Sequence, residues 1–377
     1  MSKSKRLEKL RHFMEKENLA ALLLTDPYNQ CYVTGFEIIT YSRPIFTIIT
    51  KSESILIVPG LEEDHAKATA VYDRLLVYYE HPEKAEKGID PLALISECLF
   101  PLIEKDGIGI EFRSTPHGLT NLLQRSSCEL VDITPELVRL RSIKEEDELE
   151  QLRKACLLSS HSIQASLQKV EAGMTELELD DFGTNALYRE ALKNYPDEVV
   201  LTGGMYPSGV ERTIMPHVFS NLRKIASNDL IIQTRITSVN GYKGECERTC
   251  FVGEPTPKQK ELFELMVSAQ ESAFSTIKAG VQACEVDQSA RKIFQDAGYG
   301  DYAIHRVGHS IGLAVHEAPY FKFDDDITLE EGMTFTVEPG IYVPGIGGFR
   351  HSDTILVTKN GYELLTDAPR SIDKLTL

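Results

Sequence analysis

The stretch GHSIGLAVHEAP (308–319) sets His309 and His316 among glycines and apolar residues, a pattern that needs neighbouring strands to supply the rest of a polar site. Its extension backwards adds His305. Four further clusters of catalytic-type residues lie in the same half of the chain: PH at 216–217, GYKGECERT at 241–249, TVEPGIY at 336–342 and GGFRHSD at 347–353. Each falls on or beside an expected strand, where period-two alternation aims polar side chains into one cavity.

Outward from these motifs, the second half reads as two helix-rich stretches, 144–193 and 257–297, each followed by strands with Gly and Pro between them. No sequence repeat accompanies this repeated order. SIKE (142–145) has the form of a capping box and opens a long helix with Leu149, Leu152, Cys156, Ile163 and Leu167 at helical spacing. With the pattern breaking at Pro135, the expected domains are 1–136 and 137–377. In the first, residues 4–17 place Leu7, Leu10, Phe13 and Met14 on one helical face, and LAALLLT (19–25) is a buried strand stopped by Asp26-Pro27. Strands are expected at 44–50, 54–60, 74–80, 107–112 and 129–134, with helices at 61–70, 90–105 and 116–127. That alternation specifies an α/β domain with a mixed sheet.

A length of 377 residues suits two domains, and 42% hydrophobic with 26% charged residues is the mix of a globular protein. The net charge of −17 repels phosphate backbones and anionic lipid, which argues against nucleic acid and membrane partners. Neither a signal-type apolar segment in MSKSKRLEKLRHFMEKEN nor an 18-residue apolar run is present. Seven scattered cysteines without a CxxC pair fit free thiols in a reducing compartment, so a cytoplasmic location is expected.

Taken together, GHSIGLAVHEAP, GMTFTVEPGIY (332–342) and GGFRHSDTILVT (347–358) resemble the pita-bread hydrolases, which include methionine aminopeptidase, Xaa-Pro aminopeptidase, prolidase and creatinase. The resemblance covers nearly the whole chain. It implies an α/β (α+β) protein: an N-terminal creatinase-type α/β domain, then a C-terminal pita-bread domain with a pseudo-twofold antiparallel sheet and flanking helices.

The peptidases of that family hold two divalent metals with two aspartates, a histidine and two glutamates. Carried over by position, the ligands fall on Thr234, Glu245, His309, Glu338 and Ser352, so two positions carry neutral hydroxyls. Hard cations need anionic oxygens, and the dinuclear centre is expected to be lost. Glu245, His309 and Glu338 remain sufficient for one ion such as manganese, zinc or iron.

At these departures the chain is similar to creatinase, which works without metal. The likeness places Glu247 and Glu338 on glutamates that bind a guanidinium, and His217 on the proton shuttle. TGFEIITYSRPIFTIIT (34–50) aligns with a segment whose aromatic and arginine, here Tyr41 and Arg43, enter the neighbouring subunit's site of a homodimer. Tyr320 stands where creatinase has a carboxylate-binding arginine. The leading expectation is therefore a metal-independent, cofactor-free C–N hydrolase, an amidinohydrolase or amidohydrolase acting on a small cationic or zwitterionic substrate. His217, Glu247 and Glu338 are its catalytic residues; Tyr41, Arg43, Glu245, His305, His309 and His316 bind substrate. Two alternatives stand beside it: a metal-dependent Xaa-Pro dipeptidase or aminopeptidase with a single ion, and a binding protein without turnover. Glu247 also has an ordinary reading, a structural ion pair with Arg248.

Overall fold

The structure is a computed structural model that describes the chain apart from residues 1, 38, 40, 82, 85–89, 103–105 and 126–127, and the side chains of 2–4. Two compact units comprise Met1–Arg141 and Ser142–Leu377.

In the first unit six strands form one sheet: β1 (Leu19–Leu24), β2 (Phe46–Thr50), β3 (Ser54–Pro59), β4 (Arg74–Tyr78), β5 (Gly107–Ile110) and β6 (Leu130–Asp132), in the order β4-β3-β2-β1-β5-β6. β1–β2 and β2–β3 pair antiparallel, while β3–β4, β1–β5 and β5–β6 pair parallel, which makes the sheet mixed. β1, β2 and β3 are buried at every residue, the condition that unbroken apolar runs such as LAALLL anticipate.

Two prolines that look like breaks in the sequence are helix starts. Pro27 opens helix Pro27–Thr34 behind Asp26, whose carboxylate accepts from the Tyr28 and Asn29 amides, and Pro135 lies in the first turn of helix Thr134–Ser142. Proline's missing N–H costs nothing in a first turn, where that donor has no intrahelical partner. The division between the units consequently follows Arg141 rather than Glu136. SIKE does not form the expected box: Ser142 ends the preceding helix, and the box joins Glu145 to Glu148 at the head of helix Glu146–Lys169. The helix expected over 90–105 runs Pro91–Leu99, and its last three expected residues lie outside the described ones; that expected over 116–127 runs His117–Gln124, and 126–127 lie outside likewise.

The second unit carries helix pairs Glu146–Lys169 with Glu176–Asn194 and Pro257–Thr276 with Ala283–Asp296. The first pair precedes β7 (Val200–Met205), β8 (Leu230–Val239) and β9 (Tyr242–Phe251). The second precedes β10 (Gly308–Ser310), β11 (Glu317–Phe321), β12 (Thr334–Val337), β13 (Gly340–Val343), β14 (Gly347–Arg350), β15 (Ser352–Thr358) and β16 (Gly361–Leu364). Eight of these make one antiparallel sheet ordered β11-β10-β12-β15-β9-β8-β7, with β16 on β15, while β13 and β14 form a separate ribbon. Leu262, Phe263, Met266 and Phe274 of the second helix pair pack with Phe251, Phe335 and Ile355 of the sheet into one apolar cluster.

The seam β12-β15-β9-β8 positions the chemistry. Ser352 lies opposite Glu247, and Thr234 also lies opposite Glu247. Motifs over a hundred residues apart in the chain thus become neighbours.

Candidate metal centre and cavity

Glu245 and Glu247 are two residues apart on β9, so both project from one face of the sheet. β10 delivers His309, and Glu338 follows directly after β12. Donor atoms of Glu245, His309 and Glu338 all lie within 4.8 Å of one another, and all three side chains are buried. His309 Nε2 is 3.1 Å from Glu338 Oε1, while its Nδ1 faces the Ser310 carbonyl at 3.1 Å, so that ring nitrogen carries the proton in the neutral tautomer. The close approach of β10 to β12 requires glycine: a Cβ on Gly308 would collide with the Thr336 carbonyl oxygen. Gly308→Ala is expected to destabilise the protein by about 1–3 kcal/mol, as overpacked sites do, measured by denaturant unfolding.

Beside this trio lies a pair that is already neutralised. Glu247 accepts from Thr234 Oγ1 at 2.6 Å and Arg350 Nη2 at 2.6 Å, with Arg350 Nε 2.5 Å from its second oxygen. Burial disfavours the Arg350 charge, but Glu247 more than compensates and keeps the guanidinium protonated. Ser352 Oγ donates to Glu245 at 2.7 Å. The Thr234 and Ser352 hydroxyls therefore serve as hydrogen-bond donors to the neighbouring glutamates.

Electrostatics inside the trio favour a cation. Burial, then the nearby Glu338 and Glu247 carboxylates, push Glu245 up to about 8. Burial alone would raise Glu338 too, but the hydrogen bond and charge of His309 carry it well below the usual carboxylate range. Despite its own burial, His309 is raised by Glu338. When a divalent ion displaces the protons that Glu245 and His309 favour, three carboxylates and one guanidinium leave two negative charges for it to balance; among the described residues no second group of such donors stands by. The donor set fits one ion and does not fit two.

Glu338 and Arg350 reach a cavity of about 700 Å³ that His217, His305, Arg306 and His316 also line. His217 is exposed at this cavity. His305 Nε2 meets the Tyr342 hydroxyl at 2.8 Å, and burial lowers its pKa. The His316 ring packs edge-on to His309 at 4.3 Å, and burial lowers His316 to about 4, so it is a neutral imidazole at pH 7. His351 is buried in the core, its ring 5.2 Å from Phe263. Tyr41 and Arg43 lie in the first unit, where the Tyr41 hydroxyl donates to Glu62 at 3.1 Å and Arg43 Nε to Glu80 at 2.7 Å.

The structure brings Glu245, His309 and Glu338 together, and it pairs Glu247 with a different arginine from the one that the sequence offered. Arg248 bonds Asp353 at 2.7 Å with both side chains fully buried, and the partner of Glu247 is Arg350. Arg350, within GGFRHSD, has no role in the sequence reading; its pairing with Glu247 arises from the register that sets Ser352 opposite Glu247.

Comparison with known proteins bears on the cofactor. Residues 150–359 match the model of metallopeptidase family M24, and residues 6–143 match the creatinase/prolidase N-terminal domain. The chain is 30% identical over 371 residues to an Xaa-Pro dipeptidase of Pyrococcus furiosus, covering 97% of this chain and 99% of that one. Among solved structures it is similar to an X-Pro aminopeptidase of Thermotoga maritima (TM-score 0.85, 26% identity, 98% and 99% of the two chains covered). A prolidase of Pyrococcus horikoshii is similar to the same degree (TM-score 0.84, 29% identity, 98% and 99% covered).

These matches overturn the expectation of a metal-independent, creatinase-like amidinohydrolase with no cofactor. Its physical weakness is visible in the site: the scheme needs a free Glu247 carboxylate for a substrate cation, and Arg350 already occupies that carboxylate, whereas the donor atoms of Glu245, His309 and Glu338 converge. With a pita-bread unit following a creatinase-type unit, and the metallopeptidase model spanning more than half its length, the chain belongs to metallopeptidase family M24.

Proposed function

We propose that this protein is a metal-dependent Xaa-Pro dipeptidase working with a single divalent ion held by Glu245, His309 and Glu338. The observation that carries this reading is the convergence of those three donors within 4.8 Å, with Glu338 also lining the cavity, in a chain that aligns almost end to end with Xaa-Pro dipeptidases. A bound ion supplies Lewis-acid polarisation of the scissile carbonyl and an acidified water.

The side chains do the rest. Glu338 and Glu245 supply the negative oxygens that the ion requires, and the Ser352 hydroxyl orients Glu245. Hydrolysis adds hydroxyl to the carbonyl carbon and a proton to the departing nitrogen, and His217, exposed at the cavity, delivers that proton. His305, fixed by Tyr342, and the neutral His316 position the peptide by hydrogen bonds. Arg350 contributes charge rather than contact with substrate: it replaces, beside Glu247, part of the positive charge that a second ion would bring.

The reading includes a cytoplasmic homodimer in which Tyr41 and Arg43 reach the neighbouring subunit's site. It accords with seven free cysteines, and among the described residues no helix is long and apolar enough to cross a membrane. The test is hydrolysis of Xaa-Pro dipeptides by purified protein before and after chelation. Activity that disappears with the chelator and returns with manganese, cobalt or zinc supports the reading; activity indifferent to metal content, or none in the reloaded protein, refutes it.

A further inference from the structure

The cavity is lined by four long basic side chains, and three are already paired. Arg291 bonds both Asp287 oxygens at 2.9 and 3.0 Å, Lys322 meets Asp324 at 3.0 Å, and Arg350 is held by Glu247. Arg306 has no acidic partner at hydrogen-bond or ion-pair distance among the described residues, although it lines the same wall as Glu338 and His316. It is nevertheless held in place. Its guanidinium carbon lies 4.2 Å from the centre of the Tyr320 ring, and its carbonyl oxygen accepts from His305 Nδ1 at 2.7 Å. A guanidinium stacked on an aromatic face keeps its in-plane N–H fork free for a planar anion.

On the paired strands Tyr320 lies opposite His309, so its ring stands beside the metal trio. Arg306, three residues before His309 on the segment leading into β10, brings a guanidinium over that ring. A cavity with one guanidinium that lacks an acidic partner and is held in place next to a hydrolytic centre suits a carboxylate.

We propose that Arg306, steadied by Tyr320, binds the free C-terminal carboxylate of the substrate and so selects dipeptides over amidated or longer peptides. This rests on the dipeptidase reading and names the residue that sets its specificity. Arg306 is a binding residue; Tyr320 acts through it as a positioning residue.

The experiment compares an Xaa-Pro dipeptide with its C-terminal amide on the manganese-loaded protein, in wild type, Arg306→Met, Arg306→Lys and Tyr320→Leu. Wild type should prefer the acid. Arg306→Met should collapse the acid-to-amide ratio of kcat/KM by about 10–100-fold, the range for a charge-assisted hydrogen bond, mainly through KM for the acid. Arg306→Lys should recover part of the preference, and Tyr320→Leu should lose part of it. Equal losses on acid and amide, or an unchanged ratio, would overturn the assignment. Calorimetric binding of L-proline against L-prolinamide needs no turnover and separates the two claims. Tighter binding of proline that vanishes in Arg306→Met supports Arg306 even where dipeptide hydrolysis fails, and equal binding of both probes by wild type refutes it.

Discussion

Glu338→Gln should lower affinity for a divalent ion by at least about 100-fold, because even partners outside the coordination shell commonly change affinity 10–100-fold. Dipeptide hydrolysis should fall with it. Glu338 is the member of the trio that both hydrogen-bonds His309 and lines the cavity, and its carboxyl is the one held most firmly ionised. Glutamine keeps the shape and removes the charge, so folding should survive while ion binding does not. Titration calorimetry with manganese measures the first effect, and steady-state hydrolysis the second. Undiminished affinity in the variant would remove Glu338 from the ion site.

Arg350→Met should destabilise the protein by about 3–5 kcal/mol, the cost of leaving a buried carboxylate without its counter-charge. The side chains of Arg350 and Glu247 are 4% and 2% exposed, so solvent cannot rescue the orphan. The double variant Arg350→Met with Glu247→Gln should regain much of that loss, since neither charge then remains. Urea unfolding of the two single variants and the double variant completes the cycle. Additive losses would mean that the two side chains do not form the coupled pair that keeps Glu247 away from substrate.

How much of this was legible beforehand depended on range. β1, β2 and β3 announce themselves as apolar runs, because a strand buried along its whole length needs no alternation. Glu245, His309 and Glu338, which the structure brings together, could be singled out because each sits in a recognisable local motif. The pairing of Glu247 with Arg350 could not, since the two lie 103 residues apart and meet through the register that sets Ser352 opposite Glu247. Without that register the ion pair of Glu247 falls on its chain neighbour Arg248, and the metal-free expectation follows from the likeness to creatinase at Thr234 and Ser352. Pro27 and Pro135 illustrate a local ambiguity: the same residue that ends a strand or linker also begins a helix, and only the partners available to the preceding amides decide between them. Arg306 passed unnoticed for a related reason. Its importance lies in the acids that its basic neighbours have and it lacks, which is a property of the assembled cavity.

The number of ions bound per chain bears most directly on the charge balance set out for the site. Elemental analysis of protein reloaded with manganese or zinc and freed of excess, with dipeptide hydrolysis followed in the same samples, should give one ion per chain at full activity. Two tightly held ions per chain, or full activity with none, would contradict a centre built from Glu245, His309 and Glu338 with Arg350 as the neighbouring positive charge.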